Sequence, residues 1–191
     1  IVNNDQSGSI IVKKDVVPND STVWDFEITT NMSGAGGPYP INNLSDGSTY
    51  GVHSLMAGLY TITETADSNY TTTISCDDGT TAAGNSINVD VGLGEELECT
   101  FTNTIKQGKI IVEKQVLPNA HNQTFNFTGE VSGTIGDEGT LEKDVNPGMY
   151  TVSESPFSTL GHQLKSIVCD DGQSTNPSTG DIQTGVATFN V

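Results

Sequence analysis

Basic residues are scarce in this chain. The 191 residues include 7 Lys and Arg against 24 Asp and Glu, which gives a formal net charge of −17 at pH 7 and a pI near 4.1. Nucleic acids and anionic membranes attract positive charge, so both are poor partners for this protein. The same charge favours solubility and cation binding, and it suits a salty exterior.

Long apolar runs are also missing. No stretch is long and apolar enough to cross a bilayer, and no basic segment followed by an apolar one marks a secretory signal. The sequence also begins without Met. We therefore expect a processed product or an excised segment, with any export signal or anchor lying outside it.

Signatures of catalysis are few. His53, His121 and His162 stand alone, and the sequence shows no metal-spaced cluster, phosphate-binding glycine loop or nucleophile elbow. The sequence therefore predicts a protein without turnover chemistry and without a cofactor. Each histidine is expected at the surface.

Helix-forming residues are scarce, whereas Thr, Val, Ile, Gly and Asn are plentiful. Short alternating runs separated by Gly, Asp, Asn and Pro are typical of an all-β sandwich. The aromatic pairs Trp24-Asp-Phe26 and Phe125-Asn-Phe127 then read as core residues on one strand face. The segment from Asn31 to Ser48 is rich in Gly, Pro and Asn, so we expect an exposed loop there.

An internal repeat sets the domain organisation. FTNTIKQGKIIVEK (101–114) matches IVNNDQSGSIIVKK (1–14) without a gap, at an offset of 100 residues (114 − 14). A repeat of that length predicts two tandem β-sandwich domains, at 8–106 and 107–191.

The two ends of the repeat are out of phase. Asn3 precedes the first opening glycine, where the end of an earlier unit belongs, while the second unit stops at GVATFNV and lacks the final GEELECTFTN strand. Residues 1–7 are therefore predicted to be a donor-like strand that completes another domain, and the second domain is predicted to be incomplete. The acceptor is either a neighbouring copy or a preceding domain of the same chain.

Strand parity places charged residues on inner faces. In the second unit Ile110, Val112 and Lys114 share one face. The first unit repeats this pattern, so Lys14 and not Lys13 is expected to point inward. On the GLYTITE and GMYTVSE strands, Glu64 and Glu154 also line up with the apolar row.

Asn103 shares the inner face of the last strand with Cys99 and Phe101. Burying Lys14, Glu64 and Asn103 without partners costs several kcal/mol, so these three side chains are expected to meet.

The segments GSIIVKK, GLYTITE, CTFTNT, GKIIVEK and GMYTVSE resemble the prealbumin-like domains (CnaB-type, SpaA-like) of surface adhesins and pilins. The resemblance covers nearly the whole chain. It implies Ig-like, prealbumin-like sandwiches in which Lys14 and Asn103 join as an isopeptide bond, with Glu64 as the catalytic residue. The alternative is a hydrogen-bonded polar cluster without a covalent bond.

The second unit departs from this pattern. It has Lys114 and Glu154 but no last-strand asparagine, because Asn190 aligns within the preceding strand. The missing residue type stands at Asn3. We expect Asn3 to pair with Lys114 and Glu154 of a neighbouring copy, or to serve a preceding domain in cis.

Cys76 and Cys99 point inward on strands that flank one hairpin, so a disulfide is expected, which implies an oxidising exterior. Cys169 is left over. Its counterpart by alignment would lie two residues before Ile1, which favours truncation if a cysteine is encoded there, and the alternative is a free buried thiol.

Two weaker kinds of site remain. The CDDG turns offer paired carboxylates for calcium, although such turns are more often simply solvated: Asp77, Asp78, Asp170 and Asp171. Six Asn-x-Ser/Thr sequences could carry glycans in a secreted protein: Asn19, Asn31, Asn43, Asn69, Asn122 and Asn126.

The sequence as a whole predicts a segment of an extracellular filament, pilus or cell-surface stalk. Its partners are copies of itself joined head to tail, or adjacent like domains of a longer chain. The alternative is an adhesin or carbohydrate-binding module that contacts surface glycans or host proteins through the segment from Asn31 to Ser48, with Tyr39 and Asp46.

Overall fold

The protein is described here by a computed structural model that covers residues 6–117, 122–155, 163–172 and 174–191. Its regular structure is entirely β within those ranges, and the chain divides into unit 1, Ile1–Lys106, and unit 2, Gln107–Val191. The all-β, two-domain prediction is confirmed. No helix able to cross a membrane occurs in the part of the chain that the structure describes.

Unit 1 is a sandwich of two sheets. One sheet has the order β4-β1-β9-β6-β7 and the other β3-β2-β5-β8. The strands are β1 (Gly8–Val17), β2 (Val23–Thr29), β3 (Tyr39–Ser45), β4 (Thr49–Leu55), β5 (Gly58–Glu64), β6 (Tyr70–Cys76), β7 (Thr81–Ala83), β8 (Ser86–Val91) and β9 (Glu96–Ile105).

The first and last strands of unit 1 lie side by side. β1 pairs with β9 in parallel over nine positions, from Ser9 opposite Glu96 to Val17 opposite Thr104. β9 is paired on its other edge with β6, so it lies inside its sheet. The last strand therefore belongs to the centre of the domain and not to its rim.

Alternate residues of the strands point inward, and their side chains form the core of unit 1. On β1 the residues Ile10 and Val12 are fully buried, and on β9 the same holds for Phe101. Phe101 meets Phe26 of the opposite sheet edge to face, with ring centroids 5.1 Å apart. The aromatic pair of β2 is thus a core pair, because both Trp24 and Phe26 are 3% exposed.

The expected exposed loop between Asn31 and Ser48 is wrong in part. Residues Tyr39–Ser45 form β3, which pairs with β2. Ile41 and Leu44 are buried in the core, and these two apolar side chains are what hold the segment against the sandwich.

Unit 2 repeats this plan with fewer strands. Its described sheets have the orders β10-β13 and β12-β11-β14-β16-β15. The strands are β10 (Gly108–Glu113), β11 (Phe125–Gly129), β12 (Gly133–Ile135), β13 (Thr140–Val145), β14 (Met149–Glu154), β15 (Thr179–Asp181) and β16 (Val186–Asn190).

The match of SIVCDDG to TISCDDG predicts a strand ending at Cys169, and this prediction is wrong. Residues 163–172 have no regular structure, although the matching TISCDDG segment of unit 1 contributes to β6. β6 is held by β9, whereas among the described residues unit 2 has no counterpart of β9. An isolated strand without a neighbour leaves its backbone groups unpaired, so a favourable local pattern is not sufficient.

Phe101→Ala should lower the free energy of unfolding of unit 1 by about 3–5 kcal/mol, because it removes a fully buried ring from a packed core. Thr100→Ala, on the other face of the same strand, is the control and should cost about 1 kcal/mol or less. The measurement is urea unfolding followed by fluorescence of Trp24, the single tryptophan, which lies in unit 1. Equal losses in the two variants would contradict this packing.

Candidate functional site

Three polar side chains meet inside unit 1. Lys14 comes from β1, Glu64 ends β5 and Asn103 lies on β9, and each residue is at most 1% exposed. The parallel register sets Asn103 opposite Val16 and Phe101 opposite Lys14. β5 belongs to the other sheet, so the Glu64 carboxylate approaches the other two groups from across the core.

The Lys14 amine is at the centre of this cluster. Its Nζ lies 3.1 Å from Glu64 Oε1 and donates hydrogen bonds to two backbone carbonyls, Phe101 at 3.0 Å and Asp15 at 3.2 Å. The amine also lies 4.4 Å from the centroid of the Trp24 ring. A long flexible side chain is thereby held in one position by β1, β2, β5 and β9 together.

Two buried oxygen atoms of the cluster accept no well-directed hydrogen bond within the described residues: Glu64 Oε1 and Asn103 Oδ1. Glu64 Oε1 lies in ion-pair contact with Lys14, while Oε2 accepts a bond of 3.3 Å from the Thr72 hydroxyl. An unsatisfied buried acceptor costs about 1–3 kcal/mol. The cluster is therefore short of donors, and a proton on Glu64 would supply one.

Burial shifts the acid–base balance of the pair. Loss of solvation lowers the pKa of Lys14 below 10.5, against the opposing attraction of Glu64. Loss of solvation also raises the pKa of Glu64 above 4.5, while the Lys14 charge and hydrogen bonds from Asn103 and Thr72 oppose the rise. Both directions favour a neutral amine beside a protonated carboxyl group.

Unit 2 contains the same pair without the asparagine. Lys114 Nζ lies 2.9 Å from Glu154 Oε1 and 3.2 Å from Oε2, and 4.3 Å from the centroid of the Phe125 ring. The two side chains are 13% and 6% exposed. Asn190 lies on β16 and its amide donates to the Pro177 carbonyl at 3.2 Å, away from this pair.

A groove runs beside the Lys114–Glu154 pair. Its volume is about 340 Å³, and its walls are the stretches 111–115 and 166–170, with Val152, Ala187 and Phe189 as its apolar lining. Among the described residues β10 pairs only with β13, so its other edge faces this groove. β9 occupies the corresponding place in unit 1.

The cysteines differ between the two units. Cys76 and Cys99 face each other on β6 and β9 and form a disulfide. Cys169 is a free thiol of intermediate exposure that lines the groove. The alternative of a free thiol at Cys169 therefore agrees with the structure, but the thiol is only partly buried, because no strand covers it in the described residues.

The calcium candidates act as turn residues. Asp78 accepts a bond from the Thr80 amide, Asp77 from the Glu98 amide and Asp170 from the Gly172 amide. Asp171 accepts from the Ser178 amide. Nowhere in the described ranges do three or more His, Cys, Asp or Glu side chains gather as a metal site would require.

The remaining predicted residues are placed as follows. The six glycosylation candidates are all exposed, as is His53. Asn3, His121 and His162 lie outside the described residues.

Sequence reasoning missed two contributors to the site. Thr72 of β6 bonds Glu64, and Asp46 Oδ1 accepts the Val16 amide at 2.8 Å, just beyond Lys14. Asp137 holds the Val116 amide of unit 2 in the same way, at 2.7 Å. The sequence carried a signal for the two aspartate contacts, because an aspartate precedes the turn glycine in both units: DGS (46–48) and DEG (137–139).

Comparison with known proteins agrees with this architecture. The family model of the prealbumin-like fold domain matches residues 10–105, about half of the chain. No sequence among curated proteins matches.

Two solved structures illustrate the likeness. The Bacillus anthracis TIE protein is 16% identical, with a TM-score of 0.54, over 97% of this chain and 31% of that one. The major pilin from Streptococcus pyogenes is 22% identical, with a TM-score of 0.35, over 52% of this chain and 48% of the pilin. This chain thus spans about a third and about half of their respective lengths.

The sandwich built on a parallel β1–β9 pair and the match over residues 10–105 lead to one conclusion: the chain belongs to the prealbumin-like fold domain family.

Proposed function

We propose that this chain is a structural segment of an extracellular filament, pilus or cell-surface stalk, and that an isopeptide bond between Lys14 and Asn103 locks unit 1. The observation that carries the proposal is the burial of these two side chains with Glu64 in one cluster. A buried ion pair is weak evidence for stability in itself. A cluster short of hydrogen-bond donors, beside an amine whose pKa is lowered by burial, is suited to reaction.

The chemistry is a single amide exchange. The neutral Lys14 Nζ attacks Cγ of Asn103, the new C–N bond forms, and Nδ2 leaves as ammonia. Protonated Glu64 donates to Oδ1 as negative charge develops there, and it carries a proton from the attacking amine to the leaving nitrogen. The strands β1, β5 and β9 supply the proximity that replaces binding of a substrate. The reaction occurs once per molecule and is maturation, not turnover.

The bond closes a loop of about 90 residues (103 − 14 = 89). By the chain-entropy treatment used for disulfides, such a cross-link stabilises the folded state by about 4–5 kcal/mol. The disulfide between Cys76 and Cys99 adds a second covalent tie in the same sheet and suits an oxidising, extracellular setting.

Unit 2 is completed in this proposal by a strand from another like domain. Within the described residues the edge of β10 away from β13 has no strand partner, and such an edge accepts an added strand. Ile1 to Asn3 of a second copy has the matching sequence, and its asparagine can cross-link to Lys114 with Glu154 as the acid. Repeating this head-to-tail contact gives a filament, since the contact does not close on itself.

The first prediction concerns the mass of the denatured and reduced protein. It should be lower than the mass calculated from the sequence by about 17 Da, one ammonia, for the Lys14–Asn103 bond. Glu64→Ala and Asn103→Ala should each restore the calculated mass in unit 1, whereas Glu27→Ala, on an exposed face of β2, should keep the deficit. An unshifted parent mass would reduce the three residues to a polar cluster.

The second prediction concerns the protonation of Glu64. Lys14→Met prevents the cross-link and removes the charge that opposes the raised pKa, so burial alone keeps the Glu64 pKa above 4.5. A raised folded-state pKa gives stability that is complete below the unfolded value and lost as pH rises through the folded value. The unfolding free energy of this variant should fall by about 1.4 kcal/mol per pH unit between those two pKa values.

The control for this pH dependence is Lys14→Met combined with Glu64→Gln, which lacks the titrating group. The difference between the two variants, measured by urea unfolding and Trp24 fluorescence across the pH range, isolates Glu64. Parallel profiles would mean that Glu64 titrates normally and cannot act as the acid.

The third prediction concerns assembly. On a denaturing gel the purified protein should form a ladder that resists boiling, with each added subunit costing another ammonia of about 17 Da. Lys114→Ala and Asn3→Ala should each abolish the ladder, while Lys14→Ala should retain it. If no ladder forms, Asn3 does not serve a second copy and completion within a longer chain takes its place.

A further inference from the structure

The groove of unit 2 has a filled counterpart in unit 1, and the comparison gives the register of any strand that occupies it. In unit 1, Cys99 lies between Val12 of β1 and Cys76 of β6. Phe101 lies between Lys14 and Ile74, and Asn103 between Val16 and Thr72.

Each of these flanking residues has an equivalent in unit 2, on the groove itself or, for Val116 and Lys165, on a smaller pocket that shares Lys114 with it. Val112, Lys114 and Val116 continue the β1 pattern on one wall. Lys165, Ile167 and Cys169 stand on the other, where the matching CDDG sequences fix the alignment. An inserted strand parallel to β10 therefore places one residue between Val112 and Cys169, and the next inward residue between Lys114 and Ile167.

The lining of the groove agrees with this register. Val152, Ala187 and Phe189 form an apolar floor, which suits apolar side chains at alternate positions of the strand. On the outer faces of the two walls Ile111 is 56% exposed and Val168 is 85% exposed, and both belong to stretches between which the described residues place no strand. A strand of the pattern Cys-x-apolar-x-Asn matches the groove from end to end.

We propose that Cys169 is a cross-linking site that forms a disulfide with the cysteine of the strand that completes unit 2. This inference rests on the proposed completion of unit 2 by a strand from another like domain and extends it to a longer occupant, because Ile1 to Asn3 contain no cysteine. The occupant is the last strand of another prealbumin-like domain, of which Glu96–Ile105 is the example in this chain. Unit 2 is then closed by two covalent bonds, one at Lys114 and one at Cys169.

The bond forms by oxidation of two thiols. Each thiol gives up one proton and one electron, and a low-molecular-weight disulfide takes up both electrons and both protons to become two thiols. Burial, and then the charge of Asp171, raise the pKa of the Cys169 thiol. The thiol is therefore a slow nucleophile towards passing disulfides, and an inserted strand overcomes this by proximity.

The test uses the full chain and a synthetic peptide with the sequence of Glu96–Ile105, whose cysteine is activated as a mixed disulfide with thionitrobenzoate. Cys169 is the only thiol of the protein, because the other two of its three cysteines are paired. The expected result is release of one equivalent of thionitrobenzoate per chain and an adduct of the peptide with Cys169. Cys169→Ser should form no adduct.

Two control peptides separate strand insertion from simple thiol reactivity. One carries Leu97→Ser and Phe101→Ser, which removes the apolar face. The other exchanges Cys99 with its neighbour Thr100, which turns the sulfur to the outer face. Both should react at least about tenfold more slowly than the parent peptide. Equal rates for all three peptides would overturn the inference.

A fourth peptide, with Cys99→Ser, distinguishes failure of the disulfide inference from failure of the proposed function. If this peptide becomes linked to Lys114 with loss of ammonia while the activated peptide gives no specific adduct, strand completion holds and the disulfide inference fails. If neither peptide attaches, the groove does not accept a β9-type strand and both proposals fail. Attachment of both peptides supports both covalent bonds.

Discussion

The parallel pairing of β1 with β9 is the constraint on which the rest of unit 1 depends. It sets Asn103 opposite Val16, two residues beyond Lys14, gives Phe101 its place against Phe26, and aligns Cys99 with Cys76 through the neighbouring β6. Parallel neighbours cannot be joined by a tight turn, and here the connection between them runs through all the other strands, because β1 and β9 are the first and last strands of unit 1. The polar cluster, the aromatic contact and the disulfide all follow from one register.

The two units are the same design with and without that strand. Where β9 is present, Lys14 and Glu64 are fully covered and β6 is regular. Where its counterpart is missing from the described residues, Lys114 retains 13% exposure, and the segment that corresponds to β6 carries no regular structure. Unit 2 therefore serves as an internal control for what the last strand contributes, because its remaining residues preserve the pattern of unit 1.

Much of this arrangement was readable from the sequence, since strand parity and an internal repeat are strong signals. Strand parity predicted that Lys14 and not Lys13 points inward. In the structure Lys14 is fully buried, while Lys13 is only partly buried. The sequence pattern failed at β3, because its glycine- and proline-rich surroundings resemble a loop and just two of its side chains, Ile41 and Leu44, are buried. The sequence pattern also failed at SIVCDDG. A strand forms there only beside a neighbouring strand, and the local sequence does not show whether that neighbour is present. Thr72 was missed because its bond to Glu64 joins different sheets.

The parallel pair also determines how tension passes through unit 1. A pull that enters at Gly8 and leaves at Ile105 slides β1 and β9 along each other, so their hydrogen bonds are loaded together in shear and not opened one at a time. With the proposed bond in place, the load runs along β1 to Lys14, crosses to Asn103 and leaves within two residues. The residues between Lys14 and Asn103 then lie off the force-bearing path. The disulfide and the other strands therefore bear no load while the domain is stretched.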